Sequence, residues 1–200
     1  MSQTAPLPPP DLHRRKLVIE ELPVGTQLFR FHRLAYPPTY FDTSQGGRFN
    51  SPDGRYGVLY AALDRRGAFA ETLLRNPGET LLSEEDDIKP RACASYGLAR
   101  SLRAVHFHSH GLSRMGATAN VCACEPYDYP LPQVWSAALH NHPDLPDAIL
   151  YRSKHDDGAL CLAIFDRTAD ALGTPTIAPN LLAEPWFFDL MDLYGVGLEP

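Results

Sequence analysis

The sequence predicts a mixed α+β fold with a central β-sheet core and few helices. Apolar residues between 26 and 165 fall mainly in short runs bounded by Gly, Pro, Asn or Asp, the pattern of buried strands. Only two strong stretches, 65–76 and 130–143, repeat apolar residues at helical i,i+4 spacing. No repeat on the scale of about 20–50 residues organises the chain. At 200 residues with 44% hydrophobic and 21% charged, the chain suits one domain able to bury a core.

Residues 1–16 open with a proline-rich, aperiodic stretch that reads as a flexible tail, leaving 17–200 as a single domain. "TQLFRFHRLA" alternates Leu28, Arg30 and His32 against Phe29, Phe31 and Arg33, as a strand does. The next 22 residues, Tyr36–Gly57, are dense in Pro, Gly, Asn, Asp and Ser and form a long loop of the kind that carries function. "VLYAAL" is a short buried strand, and "RRGAFAETLLRN" a helix of about three turns with Phe69/Leu73 and Ala70/Leu74 on its core face, closed by Asn76, Pro77 and Gly78. An acidic run at 84–87 is solvated surface. Strands are expected around Ala92–Tyr96 and at "LRAVHF", and a helix over "PLPQVWSAALHNHP", with Val134/Ala138 and Trp135/Leu139 paired. "DAILYRS" and "ALCLAIF" flank "KHDDG" and read as a hairpin-like return. The apolar end from Trp186 to Leu198 docks on the body, with an interface as the alternative.

The formal net charge of −6 gives no global attraction to nucleic acid or anionic lipid, so any polyanion must meet a local arginine cluster. No apolar run approaches the roughly 18 residues of a membrane span, and the first residues lack a signal-peptide core, so a cytoplasmic location is expected. Cys93, Cys122, Cys124 and Cys161 form no CxxC pair and are expected as small buried hydrophobes without disulfides.

Chemistry concentrates in "SQGGRFNSPDGRYGVLYAALDRRGAFAETLLRN", Ser44–Asn76. Arg48 follows Gly46 and Gly47, where missing side chains let backbone approach a ligand, and its planar fork suits phosphate or carboxylate. Tyr60 lies on the strand, either as a core tyrosine with its hydroxyl tied off or as a ring wall for a ligand. Glu71 lies on the helix among small and apolar neighbours. An ion pair with Arg75 is the plain explanation, but a carboxylate on a packed face otherwise requires a partner or a purpose. Arg30 can point at a cleft by strand alternation, and Ser153 sits at a strand end within reach of it. Arginine for phosphates, an aromatic face for a planar ring and a carboxylate for a developing sugar cation together describe a dinucleotide glycosidic site.

"LFR" at 28–30, "GGRFN" at 46–50, "LYAAL…AFAE" at 59–71 and "YRSKHDDGALCLAIF" at 151–165 resemble the RES domain family of bacterial toxins. The resemblance implies an ADP-ribosyltransferase-like fold and destruction of NAD at the nicotinamide–ribose bond by phosphorolysis or hydrolysis. It makes Arg48, Glu71 and Ser153 the catalytic trio, with Arg30 and Tyr60 as substrate-binding residues. It further implies NAD as substrate rather than cofactor, inorganic phosphate as a co-substrate candidate, no metal, and an Xre-type antitoxin covering the site. Phe49 stands where the family commonly carries Trp, and 76–147 offers little recognisable pattern. Two rivals remain. "HFHSH" sets His106, His108 and His110 on one strand face, with His140, His142, Cys122 and Cys124 as further ligands, a pattern for a zinc hydrolase, although loop follows at once and HExxH is absent. A non-catalytic module holding a nucleotide or protein with the same arginines is the second.

Overall fold

The computed structural model describes residues 5–74, 78 and 80–199. The strands are β1 (Ile19–Leu22), β2 (Gln27–Arg33), β3 (Val58–Ala62), β4 (Leu81–Leu82), β5 (Arg91–Gly97), β6 (Leu102–His106), β7 (Ala148–Arg152), β8 (Leu160–Phe165), β9 (Thr176–Ala178) and β10 (Gly197–Leu198). The α-helices are α1 (Arg65–Leu73), α2 (Ser109–Met115), α3 (Pro130–His140) and α4 (Pro185–Tyr194), with short 3-10 turns and a π-helical turn at Glu84–Ile88 between elements. Eight strands form one sheet in the order β1-β6-β7-β8-β3-β2-β5-β9, with β6–β7 its parallel pair, and β10 pairs with β4 apart from it. This is the mixed α+β architecture with a central sheet and few helices that the pattern of short apolar runs predicts.

Strand alternation divides the core. Phe31, Val58, Ala62, Val105, Ile149, Tyr151 and Ala163 face one side and pack with Phe69, Trp135, Leu139 and Phe187 from the helices. Leu28, Leu59, Ala94, Ala104, Leu150 and Leu162 face the other, where Phe41 and Leu172 from connecting segments pack against them. All four helices therefore serve one face. In α1 an N-cap starts the helix two residues after β3, with Asp64 Oδ1 accepting from Gly67 N at 2.7 Å. Phe69 then enters an aromatic cluster with ring centroids at 6.1 Å from Phe31, 5.7 Å from Phe187 and 5.5 Å from Tyr194. The C-terminal stretch docks through Phe187, Leu190 and Met191 of α4, as its apolar composition predicts.

Two expectations need amendment. Of the expected tail 1–16, residues 5–16 lie against the body: Leu12 is buried, Trp135 Nε1 donates to Pro6 O at 2.7 Å, and His142 Nε2 donates to Leu12 O and Arg15 O, both at 3.1 Å. Proline-rich composition supplies little regular structure, but one buried leucine and a few free carbonyls are enough to anchor a segment. The loop expected after "HFHSH" is the helix α2, because Leu112 and Met115 share a buried face and Gly116 at φ 83° ends it. Gly111 makes this turn feasible, since a Cβ there would stand 1.8 Å from His106 O. The expected end of α1 at Asn76 and Pro77 lies outside the described residues. The three cysteines at 93, 122 and 161 are buried, and no helix among the described residues is long and apolar enough to cross a membrane.

Truncating Phe69 to Ala is expected to cost about 3–5 kcal/mol, because the aromatic cluster cannot collapse around the gap. Leu193→Ala on the exposed side of α4 should stay within about 0.5 kcal/mol of the parent in the same urea titration.

Candidate active site

Glu71 projects from α1 toward the end of β7 and the loop before β3, and among the described residues four donors meet its carboxylate. Ser153 Oγ donates to Oε1 at 2.8 Å and Lys154 N to the same oxygen at 3.0 Å. Arg48 Nη1 and Tyr151 OH each reach Oε2 at 3.4 Å. Ser153 Oγ accepts in turn from His155 N and Asp156 N at 3.1 and 3.3 Å, which turns its hydroxyl toward Glu71. Three of the residues singled out in the sequence, Arg48, Glu71 and Ser153, thus converge although 105 positions separate the first from the last. The alternative Glu71–Arg75 pair lies outside the described residues.

Electrostatics follow from burial. Arg48 is 7% exposed and its partner's side chain 20%. Burial works against the Arg48 charge, but Tyr151 and Glu71 outweigh it and hold the guanidinium above its ordinary range. Burial pushes the Tyr151 phenol well above its usual value and Glu71 adds to the effect, so near neutral pH the phenol keeps its proton and can donate. The Arg48 guanidinium also lies 5.6 Å from the Tyr151 ring centre, a cation–π distance. The Arg48 Nε is buried without a hydrogen-bond partner.

Tyr60 and Arg30 act one step back. The Tyr60 hydroxyl accepts from Phe49 N at 2.7 Å and donates to Asn50 Oδ1 at 2.9 Å, so it braces the loop that carries Arg48. Gly47 is needed there, because a Cβ would stand 2.3 Å from Asn50 Oδ1 and 2.7 Å from the Tyr60 hydroxyl. Arg30 alternates with Leu28 and His32 onto the sheet face opposite Phe31 and Phe69, and does not join the Glu71 cluster. Its place follows from a split in the sheet: β2 and β3 share the single register pair Phe29–Ala62, and Arg30 Nη1 fills the seam by donating to Tyr60 O at 3.0 Å. Burial lowers the Arg30 guanidinium from its ordinary value, and its Nε has no partner.

Sequence reasoning missed four supports. Tyr151 was legible, since two residues before Ser153 on a strand share its face. The Lys154 backbone N–H carries no residue-type signal. Gln133 Nε2 donates to Gln45 O and Gly47 O at 2.8 and 3.0 Å, and Ser136 Oγ to Phe49 O at 2.6 Å, so buried polar positions of α3 clamp the arginine loop from a distant segment.

The profile described as RES domain matches residues 27–188. The chain belongs to the RES domain family. A solved structure of the M. tuberculosis MbcT–MbcA toxin–antitoxin complex contains a chain similar in fold to this RES domain, with a TM-score of 0.58 and 11% sequence identity, over 86% of this chain and 92% of that one. No curated protein matches its sequence. The further zinc ligands expected for a metal hydrolase are engaged elsewhere: His140 stacks on Tyr56 at 4.0 Å, His142 holds the N-terminal segment, and burial pushes the Cys122 thiol up to about 12.

In this RES domain, removing Glu71 leaves Arg48 buried without its charge partner. Glu71→Ala is expected to destabilise by about 3 kcal/mol, and a double-mutant cycle with Arg48→Met to give a coupling of about 1–3 kcal/mol in denaturant titrations. A coupling near zero would mean the pair contributes nothing to folding.

Proposed function

We propose that this RES domain is the toxin of a toxin–antitoxin pair and depletes NAD by breaking the bond between nicotinamide and ribose. The observation that carries this reading is the Glu71 carboxylate, set by four donors on one helix-covered face of the sheet beside a buried arginine. Breaking the C1′–N bond leaves the electron pair with nicotinamide, which departs as a neutral ring, and builds positive charge on the ribose. A carboxylate already aimed by Ser153 and the Lys154 amide meets that charge without reorganising, which is where electrostatic catalysis gains most. Water or inorganic phosphate then forms the new C1′–O bond, and water in that role loses its proton to solvent.

The remaining residues take roles that their positions permit. Arg48 orients Glu71 and turns toward the pyrophosphate or an acceptor phosphate through its fork, while Arg30, on the other face of the sheet, supports the site by bracing the seam between β2 and β3 through Tyr60 O. Tyr60, half-buried, offers its ring to the nicotinamide while its hydroxyl holds the loop. No metal is needed for a neutral leaving group. The partner is a protein antitoxin, of Xre type by the family resemblance, that covers this site; what supports an antitoxin partner is that the structural relative is a chain of a toxin–antitoxin complex.

Proton NMR of NAD with the purified protein is expected to show free nicotinamide, faster in phosphate if phosphate is the acceptor. Glu71→Gln should lower kcat by about 10²–10³ with KM changed less than about threefold, and Ser153→Ala by less, because the Lys154 amide still holds Oε1. Intact NAD with every protein sample would favour the non-catalytic binding module.

A further inference from the structure

The histidines of "HFHSH" do converge, on the far side of the sheet from Glu71. Leu102, Ala104 and His106 of β6 alternate to the face opposite Val105 and Phe107. Glu20 of β1 pairs with Ala104 and so shares that face, next to His106. The strand ends at His106, and the sharp turn into α2, with Ser109 at φ 46° and Gly111 against His106 O, folds His108 back over it. The His106 and His108 rings stand 3.7 Å apart in an edge-to-face arrangement, with His110 at 4.8 Å from His106.

Two nitrogens in this cluster lack a partner among the described residues. His108 is 7% exposed, its Nδ1 bonded to Ser109 Oγ at 3.1 Å and its Nε2 buried without a hydrogen bond. His106 Nδ1 is likewise buried and unpartnered. Orphaned buried ring nitrogens cost free energy unless something pairs with them. One ligand atom from each of Glu20, His106 and His108 lies within 4.8 Å of the others, and they form the group of this kind found among the described residues. Ligands at ~2.0–2.1 Å from a tetrahedral ion are about 3.3 Å apart, so the three ligand atoms must draw closer together to share one ion.

We propose that Glu20, His106 and His108 bind one zinc-class divalent ion, with His110 beside the open fourth position. Two neutral imidazoles and a carboxylate are the donor set such ions prefer, and Ser109 Oγ on the far nitrogen of His108 supplies the hydrogen bond that orients a ligating imidazole. Arg152 is the opposing charge nearby, and Glu20 offsets it. The ion lies on the other face of the sheet from Glu71, since Tyr151 packs on the Glu71 face and Leu150 on the opposite one, so it links β1, β6 and the start of α2 and takes no part in the chemistry proposed for Glu71. The inference stands independently of NAD cleavage.

The test is a zinc competition titration against a chromophoric chelator, using full-length protein freed of any affinity tag and stripped with EDTA, followed by thermal melts with and without zinc. One equivalent per chain and a zinc-dependent rise in Tm are expected, with affinity reduced at least about tenfold in Glu20→Gln and in His106→Asn, and unchanged in His13→Gln, an exposed histidine outside the cluster. Absence of saturable binding by the parent, or equal affinity in Glu20→Gln and His106→Asn, would overturn the site. Should His106→Asn fail to fold by circular dichroism, Glu20→Gln decides alone, since it changes one side chain on the edge strand.

Discussion

A carboxylate on a helix packed against a sheet must be met by donors from that sheet, and the answer to Glu71 organises much of this protein. Ser153 and the Lys154 amide come from the turn after β7, Tyr151 from the strand itself, and Arg48 from the loop before β3. Each is tied to a different stretch of chain, so the carboxylate works as a junction where α1, β7 and the glycine-containing loop are registered against one another. Replacing such a junction with apolar residues would be neutral or favourable for folding alone. Its retention here fits a site kept for chemistry.

The loop that carries Arg48 has no regular structure of its own and is held from three sides. Tyr60 braces it from β3, Gln133 and Ser136 clamp it from α3, and Asp42 accepts from Asn50 Nδ2 at 2.9 Å within the loop. The side chains that hold it spend their polar groups on its backbone. This is how an arginine with only 7% exposure can be aimed without strain in the helix or strands around it.

One sheet also separates two chemistries. Period-two alternation sends Tyr151 and Ser153 to the helix-covered face and Arg152 to the other, where the histidines of β6 and α2 gather with Glu20. Phe107, between His106 and His108, packs against Phe49 and Trp135 on the first face and keeps the two groups apart. A side chain's neighbour in sequence is therefore not its neighbour in function.

The sequence by itself determined the class of the fold and singled out three of the groups that meet at the Glu71 carboxylate. Short apolar runs wrote the strands at 27–33, 58–62, 91–97, 102–106, 148–152 and 160–165, and spacing wrote α1 and α3, because burial on one face imposes a period that local reading can detect. Arg48, Glu71 and Ser153 were legible for the same local reason: each is a polar residue where a glycine pair, a packed helix or a strand end makes polarity costly or purposeful. The tertiary structure decided what no local period encodes. It paired β2 with β3 at one residue and placed Arg30 in the seam, committed the Tyr60 hydroxyl to a loop, brought Gln133 to Gly47, and folded α2 back so that His108 meets His106. Those relations depend on sheet order and on which turn lets two backbones approach, and both are set by contacts between segments distant along the chain.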